Sequence, residues 1–220
     1  MIRAVIFDLD GTLVDSNELH VDAWDESFRH FGKEFPRRRL HDHIGKGGDK
    51  YLPEFLTEAE LRSMGDELTD YRSDVFKRKY IERVRPFPKV RELLQRIRDD
   101  GKHVVLASSG NENEVEHYIK VSEIGEVAEA FTTKSDVSNS KPSPDVFRRA
   151  LNLVHVQPDE AIVVGDTPYD IQAAKKIDVP AIALLCGGFS EDELRAEGAV
   201  AIFKDPADLL DNYARSPLSG

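Results

Sequence analysis

Four short stretches of this chain carry side chains able to do chemistry together. Asp8-Leu9-Asp10-Gly11-Thr12 places two carboxylates two residues apart, and Ser108-Ser109-Gly110-Asn111 offers hydroxyl and amide donors. Lys141-Pro142 offers one amine, and Gly165-Asp166-Thr167-Pro168-Tyr169-Asp170 adds two more carboxylates. Carboxylates gathered at one place repel one another and need a cation. Asp8, Asp166 and Asp170, with the backbone carbonyl of Asp10 and water, form an all-oxygen set without thiolate or imidazole. Such a set suits Mg²⁺, which keeps several waters and accepts a phosphate oxygen. Beside that ion Asp8 can attack phosphorus and form an aspartyl-phosphate. Asp10 is placed to protonate the leaving oxygen and then to deprotonate the attacking water. Ser108 and nearby N–H groups can donate to phosphate oxygens, with Lys141 as a fixed positive charge beside them. Thr12, Ser109 and Asn111 join the substrate-binding candidates, and Gly11 lets the chain turn past the phosphate.

These residues can meet only if the fold brings them to one edge. Ala4-Val5-Ile6-Phe7, Val104–Ala107, Ala161–Val164 and Ala181–Leu185 are short unbroken apolar runs, as in strands buried on both faces. Helical spacing recurs between them, at Val90, Leu93, Leu94 and Ile97, and at Val146, Phe147, Ala150 and Leu151. The alternation predicts a doubly wound, Rossmann-like parallel α/β sheet, whose ligands collect at the carboxyl ends of its strands. Residues 16–86 break the pattern. Val21, Trp24, Phe28 and Phe31, and Leu61, Met64, Leu68, Tyr71 and Val75, recur at helical spacing, with glycine and proline breakers between the two sets. This predicts a helical cap domain over 16–86 inserted in a core of 1–15 and 87–214, with a disordered tail over 215–220.

Composition narrows the setting. The 220 residues are 40% apolar and 32% charged, and no apolar run is long enough to span a membrane. A net charge of −11 disfavours nucleic acid as a partner. One cysteine, Cys186, excludes an internal disulfide and suits a reducing, cytoplasmic protein, monomeric or homodimeric.

The four stretches, in this order, resemble the motifs of the haloacid dehalogenase-like superfamily, and a helical insert after the first resembles its phosphatase branch. That resemblance covers residues 1 to about 212. It implies Asp8 as nucleophile, Asp10 as acid/base, Ser108 and Lys141 as stabilisers of phosphate and nucleophile, and Asp166 and Asp170 as metal ligands, Asp170 directly or through water. The substrate it implies is a small phosphorylated metabolite. Asp10, Asp166 and Asp170 argue against the metal-free dehalogenases and the phosphonate-cleaving branch.

In the insert, His20 is similar to a residue of sugar-phosphate mutases and is a candidate substrate contact, whereas Trp24 belongs to the apolar stripe. Gly45-Lys46-Gly47-Gly48 lacks the spacing of a nucleotide loop, yet Lys46 and Lys50 are candidate substrate contacts. Two activities share these motifs: hydrolysis, and transfer of phosphate to a sugar as in β-phosphoglucomutases. Some mutases carry an arginine just after the position of Gly48. Asp49 stands there, which favours hydrolysis.

Overall fold

The computed structural model describes residues 1–108 and 110–219. Six parallel strands form the central sheet: β1 (Ala4–Phe7), β4 (His103–Ala107), β5 (Ala130–Thr132), β6 (Ala161–Gly165), β7 (Ala181–Leu184) and β8 (Ala201–Phe203). Their order is β5-β4-β1-β6-β7-β8, so β1 lies at the centre. It pairs in register with β4 (Ala4 opposite His103, Phe7 opposite Leu106) and with β6 (Ala4 opposite Ala161, Phe7 opposite Val164). The carboxyl ends of β1, β4 and β6 thus lie side by side.

β1 is apolar throughout because both faces of the sheet are covered. Val5 and Phe7 pack on one face with α5 (Val90–Asp99), α6 (Glu112–Val121) and α10 (Pro206–Asp211). Ala4 and Ile6 pack on the other with α7 (Asp145–Val154), α8 (Pro168–Lys175) and α9 (Glu191–Glu197). Fully burying a side chain such as Phe7 contributes roughly 1.5–3 kcal/mol, which locks the strand that ends at Asp8. The predicted strands 104–107, 161–164 and 181–185 match β4, β6 and β7 within a residue. The edge strands β5 and β8 have three residues each and are partly exposed, Phe131 by 40%; the sequence reading assigned neither, although Ala199–Phe203 is an apolar run that contains β8.

The chain leaves the core through β2 (Val14–Asp15) and returns through β3 (Arg85–Pro86), which pair antiparallel. Between them the regular elements are helical: α1 (Asn17–His30), α2 (Arg37–His41), α3 (Gly48–Tyr51) and α4 (Glu58–Val75), the last running into a π-helical turn at Phe76–Tyr80. Val21, Trp24, Phe28, Leu40, Tyr51, Phe55 and Leu68 form a separate apolar cluster here. Residues 215–219 do not fray as expected. They carry 3₁₀ turns at Tyr213–Arg215 and Pro217–Ser219, and Leu218 is buried in the main core, an anchoring that one apolar residue among polar neighbours does not advertise. Among the described residues no helix is long and apolar enough to cross a membrane.

Candidate active site

The ends of β1 and β4 and the loop before α7 line a cavity of about 840 Å³, roofed by α1, α4 and the loop before α3. Asp8 follows β1 directly, fixed by its N–H to the Val164 carbonyl. The chain then doubles back: Leu13 and Val14 donate to the Leu9 carbonyl, and Gly11 donates to Val14. Gly11 has φ +72°, and a Cβ there would lie 2.3 Å from Asp166 Oδ2 and from Asn17 Nδ2. Only glycine meets both demands. Gly187 approaches Asp166 from the other side, where a Cβ would fall 1.7 Å from Oδ2.

At the floor Lys141 Nζ lies 2.6 Å from Asp8 Oδ1 and 2.7 Å from Asp170 Oδ1, all three groups buried. Carboxylate oxygens of Asp8, Asp166 and Asp170 lie within 4.8 Å of one another. Burial pushes the Asp8 carboxyl well above its ordinary range; Lys141 opposes this, while Asp170, Asp166 and Asp10 reinforce it. Burial and the charge of Asp170 push Asp166 up to about 7, against hydrogen bonds from Thr12 and Asn17. Burial alone would lower the Lys141 ammonium, but Asp170 and Asp8 hold it above its ordinary value and therefore charged. Three crowded carboxylates with one lysine are left short of positive charge. An all-oxygen set of this kind fits a hard divalent cation, with Asp8 and Asp166 as its natural holders.

Asp170 has both of its oxygens engaged. Oδ1 meets Lys141, and Oδ2 accepts from the Thr167 N–H (3.0 Å) and hydroxyl (2.7 Å) in a capping box at the start of α8. It therefore caps the helix and steers Lys141 together. The helix begins at Pro168, with Thr167 as its N-cap. The Asp10 carboxylate is not in the cluster of three. It accepts from Ser16 Oγ and bonds His20 Nε2, each at 2.6 Å, leaving its backbone carbonyl as the group the sequence offered for a metal. Burial tends to raise the Asp10 carboxyl, but the electrostatic pull and hydrogen bond of His20, with the Ser16 and Tyr118 hydroxyls, hold it at about 2. Ser16 precedes α1 yet makes no side-chain cap to it. An N-cap bond worth roughly 0.5–2 kcal/mol is forgone while that hydroxyl holds Asp10.

The remaining candidates separate. Ser108 is buried on the cavity wall and accepts from the Gly110 N–H. Ser109 lies outside the described residues. Asn111 lines the cavity and donates to Ser73 Oγ. His20 lines it too, but both ring nitrogens are engaged, Nε2 with Asp10 and Nδ1 with the Arg72 guanidinium. His20 thus orients Asp10. Thr12, expected at the phosphate, is fully buried and donates to Asp166 Oδ1 at 2.7 Å. Lys46 lines the cavity but is tied to Glu54 Oε1 (2.6 Å) and lies over the Tyr169 ring. Lys50 is not on the cavity wall. Its side chain is 43% exposed, because α3 turns the neighbouring Tyr51 into the apolar cluster.

Several groups escaped the sequence reading. Asn17 donates to Asp166 Oδ2 (2.8 Å) and to the Gly187 carbonyl (3.0 Å); its place just after Ser16 at a helix start was the available signal. Arg72, Glu114 and Ser140 had none, since each is an ordinary polar residue on a helix or loop.

The family model described as haloacid dehalogenase-like hydrolase matches residues 5–184. The chain belongs to that family and is an enzyme, a hydrolase. Pyrophosphatase PpaX of Bacillus mycoides is 26% identical over 184 residues, 83% of each chain. A hydrolase structure from Pseudomonas syringae superposes with a TM-score of 0.88 at 29% identity, covering 97% of this chain and 98% of that one. A Bacteroides vulgatus structure with a provisional beta-phosphoglucomutase name reaches 0.84 at 24% identity, covering 96% and 87%, and shares the fold.

Proposed function

We propose that the protein is a Mg²⁺-dependent phosphatase that hydrolyses a small phosphorylated metabolite through an aspartyl-phosphate on Asp8. The observation that carries this reading is the pairing of Asp8 with Lys141 beside Asp166, next to a second carboxylate, Asp10, held apart by Ser16 and His20. Asp8 and Asp166, with the Asp10 carbonyl, would hold the ion, which supplies positive charge to offset that of the phosphate.

Lys141 fixes one oxygen of Asp8 and leaves the other to attack phosphorus. The new Asp8–phosphorus bond forms as the ester bond breaks, and Asp10 passes a proton to the departing oxygen. Asp10, at about 2 in the free protein, is a carboxylate until substrate arrives; the negative charge of the phosphate raises its affinity for that proton. Water then attacks the aspartyl-phosphate, Asp10 takes its proton, and inorganic phosphate and the Asp8 carboxylate are regenerated. Ser108 and the N–H groups after β4 offer donors to the non-bridging oxygens. Residues 16–86 act as a cap that excludes bulk water while Asp10 works.

The test is turnover of p-nitrophenyl phosphate with Mg²⁺ or EDTA, followed by borohydride reduction of the trapped intermediate and peptide mass spectrometry. Release should require Mg²⁺, and reduction should convert residue 8 to homoserine. Asp8→Asn should lose activity on the order of 10⁴-fold or more, as removal of a covalent nucleophile does, without loss of fold. An adduct at another residue, or near-normal turnover by Asp8→Asn, would refute the assignment.

A further inference from the structure

Ser140 stands immediately before Lys141, on the core loop that leads into α7. It is buried, yet among the described residues its side chain and its N–H bond only to the cap. Its hydroxyl donates to Asp49 Oδ1 and accepts from the Gly47 N–H at 3.0 Å, and its own N–H donates to Asp49 Oδ2 at 3.3 Å. Asp49 thus spends both carboxylate oxygens on one core residue. The approach is close: a Cβ at Gly47 would lie 2.5 Å from the Ser140 Cβ.

A second contact comes from the same segment of the cap. Gly45 has φ +96°, and a Cβ there would lie 2.7 Å from Thr167 Cγ2. Nearby, the Tyr169 hydroxyl donates to the Asp42 carbonyl at 2.6 Å, and the Lys46 ammonium lies over the Tyr169 ring. Thr167 is the residue whose N–H and hydroxyl hold Asp170 Oδ2, while Asp170 Oδ1 holds Lys141. Residues 42–49 therefore reach the grip on Lys141 from two sides, at Ser140 through the chain and at Thr167 through Asp170. The two layers differ in permanence. Ser140, Lys141, Thr167 and Asp170 are buried, whereas the Asp49 side chain is 48% exposed. Hydrogen bonds half open to water exchange with it at little cost, so the clasp can open while the buried grip beneath it stays.

We infer that Asp49 is a positioning residue for Lys141: clasped to Ser140, it transmits the seating of the cap to the ammonium that holds Asp8. With the clasp made, the residue before Lys141 is fixed from both its N–H and its side chain. With the clasp open, those groups turn to water and the backbone that carries Lys141 loosens. Phosphoryl transfer depends chiefly on positioning and electrostatics, and a misplacement of about 1 Å can cost on the order of 10²-fold in rate. Lys141 faces Asp8 and the phosphoryl group, which every substrate shares, so the effect of Asp49 is independent of the leaving group. This inference rests on the phosphatase reading above and adds a residue of the cap to its machinery.

The test measures kcat and KM with Mg²⁺ on p-nitrophenyl phosphate and acetyl phosphate, two substrates with unlike leaving groups. Asp49→Ala should lower kcat by roughly 10- to 10²-fold, by the same factor on both, with KM little changed. Asp49→Asn, which keeps an acceptor for the Ser140 hydroxyl, should recover much of that loss. Gly47→Ala should reproduce it by collision with Ser140 and not by a lost bond. Asp49→Ala/Ser140→Ala should be no slower than the slower single variant, and in Lys141→Arg the further loss from Asp49→Ala should stay within about twofold, because residues acting through one contact are not additive. A near-normal kcat in both Asp49→Ala and Gly47→Ala would overturn this inference alone. So would a loss confined to KM or to one substrate, or a full additive loss in the Lys141→Arg background. A parent protein inert toward both substrates would overturn the phosphatase reading and this inference with it.

Discussion

The strand-end floor and the α4 wall both carry acidic side chains into one cavity, yet their physics is opposite. On the floor Asp8, Asp166 and Asp170 are buried, each held by named partners, and set by strands packed on both faces. On the wall Asp66 and Asp70 are exposed and unpartnered among the described residues, and the stripe they occupy belongs to a helix held chiefly by its other face, through Leu68 and Val75. A buried group needs a partner at every polar atom, so the floor tolerates little change. An exposed group needs none, so the wall is free to vary with the molecule it meets.

That contrast can be broken by stability measurements. Lys141→Met leaves Asp8 and Asp170 as buried carboxylates without their cation and should cost about 3–5 kcal/mol, read from urea unfolding in EDTA. A loss below about 1 kcal/mol would mean that the floor is not locked by this pair.

Next in size is the linkage between metal and pH. The Asp166 carboxyl stands at about 7 against an ordinary 3.8. The folded state therefore binds this proton more tightly than the unfolded chain does. The associated stability is fully present below about pH 4 and is lost as pH rises through about 7. In EDTA the melting temperature of the parent should fall across that window more steeply than that of Asp166→Asn. At pH 7.5, Mg²⁺ at a hundredfold excess over its Kd should stabilise the parent by roughly 2.7 kcal/mol and the variant by much less. Equal slopes and equal responses to Mg²⁺ would remove Asp166 from the ion-holding set.

The smallest effect belongs to the wall. Asp66→Asn/Asp70→Asn should change unfolding free energy by no more than about 0.5 kcal/mol. A larger change would show that the wall, like the floor, is structural.

Much of the floor was legible because its residues announce themselves in short range. An apolar run followed by Asp8-x-Asp10-Gly11, and another followed by Gly165-Asp166, combine strand, turn and carboxylate within a few positions. The hydrogen-bonding roles of Asp170 and Ser16 were not legible. Asp170 serves the helix and Lys141 together, and Ser16 leaves its helix uncapped to hold Asp10. Thr12 and Lys50 were misplaced for a related reason: a residue's type states what it can bind, while its direction is set by what packs beside it. Thr12 turns inward to Asp166, and Lys50 turns outward because Tyr51 turns in.

By itself the sequence determined the central strands, most of the helices, the order of the motifs and the candidates Asp8, Asp10, Asp166 and Asp170, since all of these are written in spacings of a few residues. Only the tertiary structure decided that His20, reached by Arg72 from 52 positions away, serves Asp10 rather than substrate. Only it set Asn17 and Thr12 against Asp166, some 150 residues on, and turned Asp66 and Asp70 of α4 toward the cavity. Contacts at such separations come from closure of the sheet and docking of the helices upon it, and no local pattern in the chain encodes which pairs that closure brings together.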